Sequence, residues 1–537
     1  MAEGTTSALP VLLVIVPAAV ACLIPILGRT WLWSREVLAL IGAVGAFAFS
    51  VWAAGEVLGG AVLTAFGGQL YMDALSALLV VLVSLVGLLA TIYSLRYMKH
   101  HAEGGETEAA ATERRLSAYY GWLMLFIATM LWACVSNNII MLYVAVEAST
   151  IASGLLVAHY WNRRALEAGY KYLMLLTVGI TFSLFGCVLV YTSGANILGG
   201  GRGLLVSELR TIAGQFPTTT VALASAFLIV GFGTKAGIAP FHPWLPDAHA
   251  EAPTPVSALL SGVMLKVAIY ALVRTVSIFY PEHASVATFA LALGVFTLVL
   301  GDLMALAQDD VKRMLAYSSV SQMGYVLMGF GIGTQLGLYA GLFHLVNHAL
   351  AKSLLFLAAG AVIYSTGVRS ISQLGGLAKR MPVTSFCFFA GALSLAGVPP
   401  FNGFQSKLAL LTAGALIGSW WAVVLALATS LITVLVLLRA AKSIFWGEAS
   451  AQISEVREAP AGLCATMAVL AVLCLAIGVY PQGVYRPLKA ATVALETVSA
   501  PRHQLAGRLP SQAVPGGRQF AWKAGDKVCT NRLLHTR

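Results

Sequence analysis

Apolar stretches and short polar links alternate along the chain from residue 9 to residue 482. A helix crossing a hydrocarbon core of about 30 Å needs roughly 20 apolar residues, and these stretches supply them repeatedly. The pattern predicts about fourteen spans, near 9–28, 37–58, 74–95, 117–135, 138–160, 171–193, 220–241, 255–278, 285–306, 315–333, 337–364, 382–403, 407–440 and 461–482. The runs are continuous and lack the period-two alternation of a transmembrane barrel. The opening MAEGTTSALP has no basic residue, so the first run reads as a retained span and not as a signal peptide. The expected fold class is an all-α polytopic membrane protein.

Two spans carry an internal echo. Residues 236–242 read AGIAPFH and residues 396–402 read AGVPPFN. Proline removes a backbone donor and clashes one turn back, so the helix must break at each copy, around Gly237 and Pro240 and around Gly397, Pro399 and Pro400. Such breaks survive at membrane depth only where protein or a wet cavity satisfies the freed backbone. The copies fall in the seventh and twelfth predicted spans. An odd separation reverses the direction of travel, and paired broken helices of opposite direction point to an ion pathway.

Composition agrees with a membrane solvent: 59% of residues are hydrophobic and 10% are charged, against about 25% charged in soluble domains. Alternate links differ in charge. One set holds fifteen basic residues, among them Arg35, Arg96, Arg163, Lys312, Arg369 and Lys442, while the other holds Arg202, Arg210 and Arg274. The positive-inside bias makes the first set cytoplasmic and the N-terminus external. The stretch 483–537 carries nine Lys or Arg against Glu496 and Asp526. It is rich in Pro, Gly and Ser and is expected to be a disordered extension, not a nucleic-acid binder. Its placement outside by an even span count runs against the same bias. The seven cysteines form no CxxC pair, and GGGRG at 199–203 follows no strand-like run. No cofactor is therefore expected on this chain.

The remaining charges lie where charge is expensive. Glu147, Lys266 and Lys352 sit inside predicted spans; Lys235 and Lys407 flank the two breaks. A single intramembrane charge costs at least about 2.5 kcal/mol unless paired or watered. Snorkelling explains one lysine but not four with an acid. His344, His348 and Lys352 are spaced i, i+4, i+8 and share one helical face. Histidine titrates near physiological pH, so the stripe suits proton relay along ordered water; two histidines satisfied by their neighbours are the bland alternative. The stripe lacks an acidic third ligand, and no metal is implied. His242, Asp247, His249 and Glu251 fall in a polar link read as a cytoplasmic mouth, either a proton intake or a capped, solvated loop. Lys171 reads first as a snorkelling residue and second as part of the wire, and Asp302 as structural.

Several motifs are longer than composition can explain. KAGIAPFHPWLPDAHAEAPTPVSALLSGVMLKV (235–267), QDDVKRMLAYSSVSQMGY (308–325), HALAKSLLFLAAG (348–360) and GVPPFNGFQSK (397–407) resemble the antiporter-like subunits of respiratory complex I, Mrp antiporters and membrane-bound hydrogenases. The stretch 146–186 is most similar to component F of hydrogenase-4 and its counterpart in formate hydrogenlyase complexes. The resemblance implies fourteen core helices with two inverted five-helix repeats, each holding one broken helix. The expected organisation is N-terminal helices over 1–116, a first repeat over 117–278, a second over 279–445, a last span over 446–482 and the basic tail over 483–537. It implies a proton pathway through Glu147, paired with Lys235, then Lys266, Lys352 and Lys407; the residue pattern itself adds His344 and His348 to that pathway and His242, His249 and Lys171 as a candidate intake. It also implies neighbouring membrane subunits, a peripheral redox arm that holds the redox cofactors, and a bacterial or archaeal cytoplasmic membrane. The chain itself would be a subunit of an oxidoreductase complex without a catalytic site of its own. A cation/proton antiporter, or a membrane partner of inorganic-carbon uptake, is the alternative. Gln322 stands where some members have histidine, and no long lateral helix is expected after the last span.

Overall fold

Backbone groups facing hydrocarbon find no water, so each apolar run closes its hydrogen bonds internally as a helix. The computed structural model describes residues 4–28, 33–100, 106–279, 283–448 and 456–496. The part of the expected tail beyond 496 lies outside the described residues. In order, the principal helices are α1 (Leu9–Leu27), α2 (Ser34–Leu58), α3 (Ala74–His100), α4 (Glu106–Val135), α5 (Ile139–Val157), α6 (Arg163–Leu198), α7 (Thr218–Ala236) and α8 (Trp244–Glu251). They continue with α9 (Thr254–Phe279), α10 (Ala284–Leu306), α11 (Val311–Ile332), α12 (Gln335–Thr366), α13 (Pro382–Ala396), α14 (Asn402–Leu416), α15 (Trp420–Ala441), α16 (Ala461–Val479) and α17 (Gln482–Glu496). Among the described residues twelve of these are long and apolar enough to cross a membrane, and α13 is a shorter apolar helix. The chain is an all-α polytopic membrane protein.

Polar residues at the links start the helices. Asn138 accepts from the backbone N–H of Ile140 (2.9 Å) and Met141 (3.1 Å), and Asp310 accepts from Lys312 (2.8 Å) and Arg313 (3.0 Å). Each satisfies N–H groups that the first turn leaves without a partner. Three short strands, β1 (Thr5–Thr6), β2 (Leu63–Ala65) and β3 (Leu70–Met72), close one end as a sheet in that order. β1 runs parallel to β2, and β2 antiparallel to β3 with Leu63 opposite Met72.

The links sort onto two ends. Bridges join Leu70 to Ser136 and Asn138 to Leu205, so the α4–α5 and α6–α7 links lie at the sheet end. Asp310 bridges Ser370, and Lys312 Nζ donates to the carbonyl of Ala252 at 2.6 Å, so the α8–α9, α10–α11 and α12–α13 links share the other end. Helix α7 therefore leaves the sheet end and α13 approaches it. The two breaks are traversed in opposite directions.

Burial identifies the axis of the molecule. Over the apolar window of α9 every residue is buried, and over that of α12 94% are, whereas α1, α2 and α15 bury between 33% and 39%. Association in lipid depends on close packing, which small residues allow. Helices α10 and α11 show it: a Cβ on Gly301 would lie 2.3 Å from the Ser321 nitrogen, and one on Gly324 2.4 Å from the Leu298 nitrogen.

Two expected boundaries move. The span expected over 407–440 is two helices, α14 and α15, separated by a turn in which Gly418 has φ +73°. Leucine and alanine on both sides of that glycine conceal the turn. The expected tail begins not as a disordered segment but as α17, whose Leu488, Ala491, Thr492 and Leu495 are buried. Their i, i+3, i+4, i+7 spacing is the stripe of an amphipathic helix.

Candidate functional site

The two heptapeptides fold into the same turn. At the first, Gly237 N–H donates to Thr234 (3.2 Å) and Ile238 N–H to Gly233 (2.9 Å). At the second, Gly397 N–H donates to Ser394 (3.1 Å) and Val398 N–H to Leu393 (3.0 Å). Gly237 and Gly397 have φ of +72° and +80°, the left-handed cap that ends a helix and that glycine adopts without strain. Pro240 and Pro400 follow, each on a cis peptide bond. Side chains also reach the carbonyls of each last helical turn. Trp244 Nε1 donates to Thr234 O at 2.9 Å, and Lys407 Nζ to Ala396 O at 3.3 Å.

Four lysines are buried around these breaks: Lys235, Lys266, Lys352 and Lys407. Lys235 Nζ donates to Val146 O (2.6 Å), Ser149 Oγ (2.8 Å) and Thr150 Oγ1, all on α5. Lys266 Nζ donates to Ser261 O within a π-helical turn, Leu260–Met264, of α9. Lys352 Nζ donates to Leu315 O (2.7 Å) and Ser318 Oγ on α11. Lys407 also reaches Ser430 Oγ (3.1 Å) and stands 5.0 Å from the centre of the Tyr325 ring. Among the described residues none of the four has a carboxylate within 4.0 Å. An ammonium has three N–H donors, and only Lys235 places all three on protein acceptors. Lys266, Lys352 and Lys407 thus each leave at least one N–H without a protein acceptor, an arrangement that is costly for a permanent buried charge.

The imidazole stripe joins these amines. His344 meets Ser406 Oγ through Nδ1 (3.0 Å) and Gln322 Oε1 through Nε2 (3.2 Å). His344 and His348 rings lie nearly parallel, 6.3 Å between centres. Both nitrogens of buried His348 lack a protein partner. Beside Lys266, Ser261 Oγ meets Ser319 Oγ at 2.8 Å. Asn347, on the same helix as the histidines, exchanges hydrogen bonds with Asn402 at the second break (2.9 and 3.0 Å). The result is a set of amines, imidazoles and hydroxyls shared by α7, α9, α11, α12 and α14, deep in the most buried part of the bundle.

Some predicted residues sit differently. Glu147 is partly buried, on the face of α5 with Val144 and Ile151; its Oε1 accepts from Thr177 Oγ1 of α6 at 3.1 Å, while its enclosed Oε2 has no partner among the described residues. Its expected pairing with Lys235 is not a closed contact, because the lysine binds the hydroxyls of α5 instead. The link holding His242 and His249 is not a solvated loop but largely the helix α8. His249 is fully buried, stacked on Phe356 with 4.6 Å between ring centres, and neither of its nitrogens has a protein partner. His242 is buried as well. Lys171 is exposed and pairs with Glu167 (2.8 Å) and Asp247 (3.5 Å), away from the buried axis.

Sequence reasoning passed over three polar groups. Asp302, read only as structural, is fully buried and accepts from Thr433 Oγ1 at 2.6 Å. Its one signal is a carboxylate at the end of an apolar run. Asp73 and Arg274 form a buried bidentate ion pair, with Nη1 to Oδ2 at 2.7 Å. Separated by 201 positions, they give no local signal.

Residues 136–433 match the sequence profile described as NADH:quinone oxidoreductase/Mrp antiporter, TM, and residues 65–105 that of the N-terminus of complex I chain 5. A hydrogenase-4 component F homolog from Methylacidiphilum infernorum is 34% identical over 349 residues, 64% of this chain and 72% of that protein. NADH-quinone oxidoreductase subunit N from Desulforudis audaxviator is 34% identical over 451 residues, 81% of this chain and 86% of that one. A chain of the membrane-bound sulfane sulfur reductase, an archaeal respiratory membrane complex, superposes with a TM-score of 0.82 at 28% identity, covering 92% of this chain and 99% of that one. With a profile match over more than half its length, broken helices of opposite direction and a buried amine axis between them, the chain belongs to the antiporter-like membrane-subunit family of NADH:quinone oxidoreductases and Mrp antiporters.

Proposed function

We propose that this chain translocates protons as one membrane subunit of a redox-driven complex of the hydrogenase-4 or NADH-quinone oxidoreductase kind. The observation that carries the reading is the buried series Lys235, Lys266, His348, Lys352 and Lys407, anchored at both ends on a broken helix. Permanent charge at those positions would cost several kcal/mol each. Groups that gain and lose a proton in turn, with water admitted at one break at a time, avoid that cost and do not leak. Closing Glu147 onto Lys235 would favour the charged amine, and opening it would release the proton toward Lys266. From there it passes by His348 and Lys352 to Lys407, which lies toward the exit.

The partly buried Glu147, on an outward face of α5, supports a protein partner on that face. A carboxylate between Val144 and Ile151 is poorly placed against lipid, and a neighbouring membrane subunit would shield it. Helices α4–α9 and α10–α15 are read as the two inverted repeats. Redox cofactors and the electron donor belong to a peripheral arm. The basic links mark the cytoplasmic side of a bacterial or archaeal cytoplasmic membrane, with the N-terminus outside.

The test is redox-driven acidification of vesicles that carry the assembled complex. Glu147→Gln and Lys352→Ala should abolish it while the complex still assembles; wild-type pumping by both overturns the reading. Family membership beside Mrp antiporters raises a second reading, exchange of a metal cation for protons. Buried ammonium groups repel such a cation, and activity that strictly requires sodium would favour it nonetheless.

A further inference from the structure

The sheet end of the bundle holds a cavity of about 1130 Å³ that plays no part in the proton axis. Four cations line it, Arg210, Arg274, Arg486 and Lys489, against one acid, Asp73. Arg274 engages both oxygens of that acid, so Asp73 reaches Arg210 only through its charge at a distance and not by a hydrogen bond. Arg210 makes two long bonds, Nη1 to Ala494 O (3.3 Å) and Nη2 to Ser277 Oγ (3.4 Å), and its enclosed Nε has no acceptor. Burial and the like charge of Arg274 push Arg210 down to about 10. Arg486 and Lys489 project from α17 into solvent, one turn apart. Among the described residues no carboxylate lies within 4.0 Å of Arg210, Arg486 or Lys489.

The rest of the lining is mixed: Val57, Val62, Val206 and Val493 are apolar, while Ser207 and Thr211 add hydroxyls beside Arg210. Clustered cations beside hydroxyls and valines, at the level where the spanning helices end, match a phosphate-bearing anion, free or carried on an apolar body. Guanidinium groups suit phosphate oxygens because their fixed forks donate two bonds at once. We propose that this cavity is a binding site for a phosphate-bearing anion, either the head group of an anionic phospholipid or free phosphate, held by Arg210 from below and by Arg486 and Lys489 from α17. Helix α17 then fastens the chain to its ligand at the face opposite the basic links.

Full-length protein in phosphatidylcholine nanodiscs, titrated with phosphatidylglycerol and followed by native mass spectrometry and thermal melting, tests the site. Wild type should bind phosphatidylglycerol in preference to phosphatidylcholine, with an apparent affinity that falls about fivefold for each cation removed. The Arg486→Gln/Lys489→Gln variant alters only exposed side chains, and its melting in pure phosphatidylcholine should match wild type; Arg210→Gln provides the second arm. Inorganic phosphate that displaces the lipid identifies the free anion as an occupant, and lipid binding indifferent to phosphate identifies the head group; both support the site. Undiminished phosphatidylglycerol binding in both variants, or equal binding of phosphatidylcholine, overturns it.

Discussion

Lys235 donates to the carbonyl of Val146 at 2.6 Å, one residue before Glu147, while the Glu147 carboxylate turns away to Thr177. Acid and amine thus meet the same helix without meeting each other, and the pair is held open by the hydroxyls of Ser149 and Thr150. Glu147→Gln leaves every acceptor of Lys235 in place. Coupled proton uptake should fall by at least roughly 10²-fold, the contribution of a positioned acid–base group and below what vesicle acidification registers, with assembly and redox turnover retained. Ser149→Ala/Thr150→Val removes the competing hydroxyls and should draw Lys235 toward Glu147. Vesicle acidification measured against redox turnover reads both effects.

The second break owes its geometry to a missing side chain. A Cβ on Gly397 would lie 2.8 Å from Lys407 Cδ, and at the first break a Cβ on Gly237 would lie 2.8 Å from Leu245 Cδ1. Alanine at either glycine forces a left-handed backbone, at about 1–3 kcal/mol. Thermal melting should therefore fall comparably in Gly237→Ala and Gly397→Ala. Only the second substitution presses on Lys407, the lysine proposed to carry the proton toward the exit, so Gly397→Ala should also slow proton transfer beyond its loss of stability. Equal transport in the two variants would remove Lys407 from the pathway.

The span rhythm, both breaks and the buried lysines are legible in the sequence because a lysine or a proline is conspicuous against leucine. Other features have no such contrast. The turn at Gly418 sits between runs that are apolar on both sides, so period and composition pass over it. Helix α17 is masked by Pro487 and by the basic residues on its exposed face, although its buried stripe is periodic. His249 lies in a segment whose prolines and acids read as a loop, and its burial comes from Phe356, more than 100 positions away. Glu147 is legible as an acid inside a span, but which side of α5 faces outward depends on how α6 packs. Residues that are unusual in their own neighbourhood declare themselves; those defined by a distant partner do not.

Helices α10 and α11 approach closely enough that side chains at the contact have nowhere to go. A Cβ at Gly324 would fall 2.4 Å from a backbone nitrogen of α10, which cannot swing aside as a side-chain tip can. Gly324→Val should destabilise by at least about 1–3 kcal/mol, the usual cost of overpacking. Gly418→Val tests space against backbone strain, since that glycine has open space around it and a positive φ. Melting in detergent should drop more for Gly324→Val than for Gly418→Val.

The Asp73–Arg274 pair at the sheet end ties the start of α3 to the end of α9, and Arg274 Nη2 also reaches Ser76 Oγ at 3.0 Å. Burial alone would raise the Asp73 carboxyl, but the charge and hydrogen bonds of Arg274 outweigh it and hold the group below its ordinary value of 3.8. A carboxyl with a depressed folded pKa stabilises the fold fully above its unfolded pKa, and that stability is lost as pH falls through the folded value. Wild-type melting should therefore hold steady from neutrality to about pH 4 and decline below it. Asp73→Asn strands a buried guanidinium and should cost about 3–5 kcal/mol at neutral pH. The variant lacks the titrating group, so the gap between the two melting curves should narrow as the pH drops below about 4. A gap that stays constant through that range would show that the pair's charge contributes nothing and that only its packing matters.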